Sequence, residues 1–93
     1  MAAALDEKTD RYEALLEEAL SEATVAASEH TDGPGGEACL EMARSYLEDG
    51  RHFRAGGDLV NALAAFSYGH GWLDAGARLG ALDVPSEGHL FTE

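Results

Sequence analysis

Apolar residues recur at spacings of three and four along most of this chain, and charged residues fill the positions between them. From about Asp6 to Glu29 the apolar stripe is Leu5, Tyr12, Leu15, Leu16, Ala19, Leu20, Ala23 and Ala26. That period predicts an amphipathic helix, with Glu13, Glu17, Glu18 and Glu22 on its wet side. Asp6, Glu7 and Asp10 near its start suit the positive end of the helix dipole. Residues 30–36 read His-Thr-Asp-Gly-Pro-Gly-Gly, a cluster that cannot continue a helix cheaply, so a loop is predicted there. A second stripe over about 37–55 runs through Leu40, Ala43, Tyr46, Leu47, Gly50 and Phe53, and Gly56-Gly57 supplies its stop. Asp58 is the N-cap expected for a third helix over about 58–82. The very short turn makes helices two and three an antiparallel hairpin. The tail, 83–93, contains Pro85 and Gly88 and reads as irregular, with Leu90 and Phe91 able to dock back. No strand pattern and no internal repeat is visible. The expected architecture is all-α: an up-and-down three-helix bundle, one domain over 1–93.

The third helix differs from the other two. Between Leu59 and Leu82 only Asp74 and Arg78 carry formal charge, and every side of the helix is apolar or small. A helix apolar all round is buried or shared with a partner. Gly69, Gly71, Gly76 and Gly80 each cost about 1 kcal/mol of helix propensity relative to alanine. Their presence implies close backbone approach by a neighbour.

Charge adds a second layer. The 93 residues carry 18 Asp+Glu against 6 Lys+Arg, a formal charge of -12. From Arg44 to Leu82 four arginines (Arg44, Arg51, Arg54, Arg78) balance four acids (Glu48, Asp49, Asp58, Asp74). The whole excess therefore lies in Met1–Ala43 and Asp83–Glu93. A field of this sign repels phosphates and anionic headgroups, which argues against nucleic acid and membrane surfaces as partners. No run approaches the roughly 18 apolar residues of a spanning helix. Met1–Leu5 is too short, and followed by too much acid, for a secretory leader. The acid surface, with five arginines to one lysine, resembles that of proteins from salt-loving archaea, and a cytoplasmic domain is expected. Cys39 is the single cysteine, so no internal disulfide and no four-cysteine zinc site can form.

One stretch carries a family resemblance. Tyr46-Leu-Glu-Asp-Gly-Arg-His-Phe53, the Gly57-Asp58 turn, and Ser67-Tyr-Gly-His-Gly-Trp-Leu-Asp-Ala-Gly76 resemble the archaeal DUF357 family. The similarity covers about 35 residues, Tyr46 to Gly80. It implies a closed three-helix bundle in a family of unknown biochemical function. Gly69 stands where the family would more often carry alanine.

The candidate chemistry lies mostly on helix three. His70, Asp74 and Arg78 are spaced by four and form one stripe, flanked by Tyr68 and Trp72. The stripe could be a polar site, with Asp74 orienting His70 and Arg78 holding an anion. It could equally be a row of structural pairs crossing an apolar helix. Tyr68 and Trp72 could wall a ligand or partner, or pack in the core. A carboxylate metal bundle needs paired Glu-x-x-His motifs, and Asp49-x-x-His52 is one imperfect half, so no metal and no cofactor is expected. Ser67 lacks a nucleophile elbow, and Cys39 reads as a small core residue. The glycines of 33–36 lack the lysine and strand of a phosphate loop. No arginine is followed by histidine at the interval of helical-bundle ribonucleases. The reading that follows is a non-enzymatic interaction or oligomerisation module, with Tyr68, His70, Trp72, Asp74, Arg78, Gly69 and Gly76 as candidate functional or interface positions. The alternative is a small-molecule binder or enzyme using Tyr68, His70, Asp74 and Arg78, which requires those polar tips to converge on one concavity. A nucleic-acid scaffold would need Arg44, Arg51 and Arg54 on one face.

Overall fold

The computed structural model describes residues 2–26 and 35–85. Its elements are α1 (Ala2–Glu22), β1 (Thr24–Val25), α2 (Gly35–Ala55), α3 (Leu59–Arg78) and β2 (Leu82–Asp83). The three helices pack on one another as a bundle. The α2–α3 contact is the most extensive, α1 lies chiefly on α3, and α1 touches α2 least.

The core is built from the predicted stripes. Leu16, Ala19 and Ala23 come from α1; Cys39, Leu40, Ala43 and Leu47 from α2; Ala62, Phe66 and Leu73 from α3; and Leu82 from β2. Four alanines and a cysteine among them let the helices lie close, and among the described residues Phe66 is the one aromatic ring fully enclosed. Thr9 is also fully buried, and its hydroxyl donates to the Leu5 carbonyl at 2.7 Å, which satisfies the donor without leaving the helix. Where α1 and α2 make little apolar contact, charge joins them. Arg51 Nε donates to Glu13 Oε2 at 2.8 Å and its Nη2 to Glu17 Oε2 at 2.6 Å. Arg54 Nη1 donates to Glu13 Oε1 at 2.6 Å, and its Nη2 reaches Asp10.

The turn between α2 and α3 shows how few residues the hairpin needs. Gly57, at φ 82, donates to the Arg54 carbonyl while Asp58 N donates to the Phe53 carbonyl, the paired bonds of a Schellman ending. The same Asp58 caps the next helix: its Oδ1 accepts from Asn61 N at 3.1 Å and its Oδ2 from Asn61 Nδ2 at 2.7 Å. One residue closes α2 and opens α3.

Four boundaries differ from the sequence expectation: the first helix begins at Ala2, not at about Asp6, so Asp6, Glu7 and Asp10 lie beyond its first turn. The first helix, expected to about Glu29, ends at Glu22, and Thr24–Val25 pairs antiparallel with Leu82–Asp83. The expectation of no strand is therefore corrected, by a ladder two residues long. Its alternation is too brief to show as a pattern, and Thr24 and Val25 are β-branched residues that favour extended backbone. Ala26 N extends the ladder by donating to the Ala81 carbonyl at 2.9 Å. The third helix ends at Arg78, not at about 82, because Gly80 turns left-handed at φ 77 and Ala81 N donates back to the Gly76 carbonyl. That reversal swings Leu82 under the bundle, so the tail is ordered through Asp83 where irregular chain was expected. Finally, α2 starts at Gly35, with Gly36 pressed against the Ala81 carbonyl inside the segment expected to be loop. His30, Leu90 and Phe91 lie outside the described residues.

Candidate functional site

Helix α3 has two faces of different use. Its inner stripe, Ala62, Ala65, Phe66, Gly69, Leu73 and Gly76, is buried against α1, α2 and β2. A Cβ on Gly69 would stand 2.8 Å from Leu16 Cδ2 and 3.0 Å from Tyr46 Cβ. One on Gly76 would stand 2.7 Å from Leu82 Cδ1 and 3.1 Å from Cys39 Sγ. The close approach that these glycines imply thus takes place within the chain. Gly69 and Gly76, named as candidate interface positions, pack against their own chain inside the bundle.

The outer stripe is open to water. Val60, Tyr68, Trp72 and Leu79 are 67%, 65%, 39% and 78% exposed, although all four are large and apolar or aromatic. Between them Ser67, Tyr68, Gly71, Trp72 and Ala75 line a shallow groove of about 360 Å³. Gly71 lies on its floor, and a Cβ there would meet nothing within 4 Å among the described residues. Tyr68 is held on the α2 side by Tyr46, with ring centroids 5.8 Å apart and planes tilted by 40°. A second groove on that side is lined by Tyr46, Asp49, Phe53, Asn61, Ala64, Ala65 and Tyr68.

The polar stripe does not converge. His70 lies on the other flank of α3, lining a groove of about 230 Å³ with Tyr12, Leu15, Phe66 and Ser67. Tyr68 and His70 are two residues apart, hence about 200° apart around the helix. His70 Nε2 and Asp74 Oδ1 are 3.9 Å apart, with both side chains about three-quarters covered. Arg78 is exposed one turn beyond. The grooves lined by Tyr68 do not include His70, the groove lined by His70 does not include Tyr68, and Asp74 and Arg78 line none of these three. Nor, among the described residues, do three His, Cys, Asp or Glu side chains gather as metal ligands would.

The arginines of α2 are separated as well. Arg51 and Arg54 are engaged by Asp10, Glu13 and Glu17 of α1, and the hydrogen bonds that Arg51 donates first to Glu13 and then to Glu17 raise its pKa above the ordinary value. Arg44 lies elsewhere, beside Val25, Glu37, Leu40 and Glu41. The single basic face required of a nucleic-acid scaffold is absent from these three residues. No described helix is long and apolar enough to cross a membrane. Cys39 is buried, as its apolar neighbours implied.

Sequence reasoning named Tyr68 and Trp72 but not the groove floor, Ser67, Gly71 and Ala75, nor the ends of the stripe, Val60 and Leu79. The signal was present: positions 60, 64, 68, 71, 75 and 79 recur at three and four, a second apolar stripe beside the first.

Comparison with known proteins bears on fold and family. The family model described as "Protein of unknown function (DUF357)" matches residues 11–82. The crystal structure of an Archaeoglobus fulgidus protein, itself under the DUF357 model, superposes with a TM-score of 0.73 at 24% sequence identity. The match covers 89% of this chain and 96% of that one. No curated protein matches. Neither match supports the salt-loving source that the acidic composition suggested.

Proposed function

The chain belongs to the DUF357 family, and from that premise we propose that it is a cytoplasmic, non-enzymatic interaction module whose working surface is the outer face of α3. The observation that carries this reading is the exposed stripe of Val60, Tyr68, Trp72 and Leu79 around the groove at Gly71. Single exposed apolar residues are ordinary on a folded protein, whereas a contiguous patch centred on Tyr and Trp is what interface anchors look like. The glycine on the groove floor adds to this. Gly71 costs about 1 kcal/mol of helix propensity, and no contact among the described residues makes use of the missing Cβ. The enzyme reading loses support because its four polar groups are divided between flanks of the helix.

The test is site-specific photo-crosslinking in the producing cell. A benzophenone amino acid replacing Ala75 should give a discrete protein adduct, and the same group replacing Ser45, exposed on α2, should not. Trp72→Asp should abolish the adduct while changing stability by less than about 1 kcal/mol. Equal adduct from both positions, or an adduct indifferent to Trp72→Asp, would refute the proposal.

A further inference from the structure

Resting on that reading, we infer that the occupant of this face is a second copy of the chain, with the two α3 helices antiparallel about a two-fold axis level with the Gly69–His70 step. Three observations lead there. The first is charge. The chain carries -12, yet on the exposed face of α3 the residues Val60, Asn61, Ala64, Ser67, Tyr68, Gly71, Trp72, Ala75 and Leu79 are all uncharged, and Arg78 alone is ionic. In the antiparallel pair the two Arg78 side chains are about 25 Å apart along the axis, well beyond a Debye length of about 8–10 Å. Asp49 of α2 lines the groove beside Tyr68, but along the α3 strip itself two strongly acidic molecules meet without opposing carboxylates. A basic partner would instead be drawn to α1 and the start of α2, where the acid excess lies.

The second is shape. Antiparallel pairing about that level sets Val60 and Asn61 against Arg78 and Leu79 of the other copy, Ala64 against Ala75, and Ser67 and Tyr68 against Gly71 and Trp72. Small meets small at the second layer, and the central layer gives each copy's aromatic ridge a glycine or serine to close over. An isologous interface needs this self-complementarity, the same patch serving both sides. The open floor at Gly71 lets the helix axes approach to about 8 Å, the near end of the usual range.

The third is area. Leu59–Arg78 is 20 residues, so the strip is about 30 Å long. Flanked by Tyr12 of α1 and by Tyr46 and Phe53 of α2, it is about two helix diameters, or about 20 Å, wide. That offers about 600 Å² per copy, the lower edge of a stable specific interface.

Light scattering behind size exclusion should give twice the chain mass at about 100 μM, and Trp72→Asp should raise the dimer dissociation constant about 30-fold or more. Direction is read by cysteine pairing. Val60→Cys and Leu79→Cys, both at exposed positions and with Cys39 buried, should each stay uncrosslinked when oxidised alone and form a disulfide dimer when mixed. Crosslinking of either variant with itself, as a parallel pair would give, overturns the inference. A monomer that still yields the position-75 adduct with another protein overturns it while leaving the interaction-module reading intact. A monomer with no such adduct sinks both.

Discussion

Phe66 is the one fully buried aromatic ring among the described residues, and it sits where a side chain of α2 would otherwise stand. A Cβ on Gly50 would lie 2.3 Å from Phe66 Cε1, 2.5 Å from Cδ1 and 2.8 Å from Cζ. Gly50→Ala therefore sets two effects against each other. Helix propensity favours alanine by about 1 kcal/mol at an interior position. Against it, one edge of the ring must move by about 1 Å, and Phe66 has no exposed side to move toward. Overpacking of this kind costs about 1–3 kcal/mol, more where neighbours cannot yield. We expect a net loss of about 1–2 kcal/mol, or about 4–16 °C in melting temperature for a domain of this size. Urea and thermal unfolding followed by circular dichroism measure it. A double-mutant cycle isolates the cause. In a Phe66→Leu background, which itself costs up to about 1.5 kcal/mol, Gly50→Ala should be neutral or stabilising, because the ring edge is gone. A higher melting temperature for Gly50→Ala in the native background would refute the reasoning, since Phe66 would then have room and glycine would not be required.

Two further outcomes follow from the ends and flank of the bundle. Asp58→Ala removes the N-cap acceptor of α3 and its bond to the Asn61 side chain, and should cost about 1 kcal/mol in urea unfolding; no change in midpoint would mean that water caps the helix equally well. Glu13→Gln removes the carboxylate shared by Arg51 and Arg54, and should cost about 1 kcal/mol at low salt but less near 1 M NaCl, because exposed pairs are screened. A loss independent of salt would assign Glu13 to packing. The raised pKa of Arg51 adds no pH dependence here: a raised basic group contributes below its unfolded pKa, and all usable pH values lie below that of arginine.

The fold was largely legible because its signals are long and local. Leu16, Ala19, Leu40, Ala43, Leu47 and Phe66 recur at helical spacing, and Gly57-Asp58 marks a turn by residue chemistry alone. The β1–β2 ladder was not legible. Two residues cannot display an alternation, and Thr24 and Asp83 are separated in sequence by the whole α2–α3 hairpin. The glycines mark the same boundary between local and tertiary information. Their cost to α3 is visible in the sequence, but whether a glycine looks inward, like Gly69 and Gly76, or outward, like Gly71, depends on which neighbours arrive.

The site was half legible for a related reason. An all-round apolar helix announces surplus surface without saying which side its own chain will cover. In α3 the covered side is the one carrying Phe66 and Leu73, whose bulk matches Leu16, Leu47 and Leu82. The opposite side carries Tyr68 and Trp72, which can hold a polar tip in water while offering ring area to a partner. Had those aromatic positions been exchanged with the inner leucine and phenylalanine, Tyr hydroxyl and Trp N–H groups would need partners in a core where, among the described residues, Thr9 alone is buried and polar. The division of residue types between the two faces is thus imposed by the cost of burying a donor. It leaves the amphipathic aromatics where association can use them.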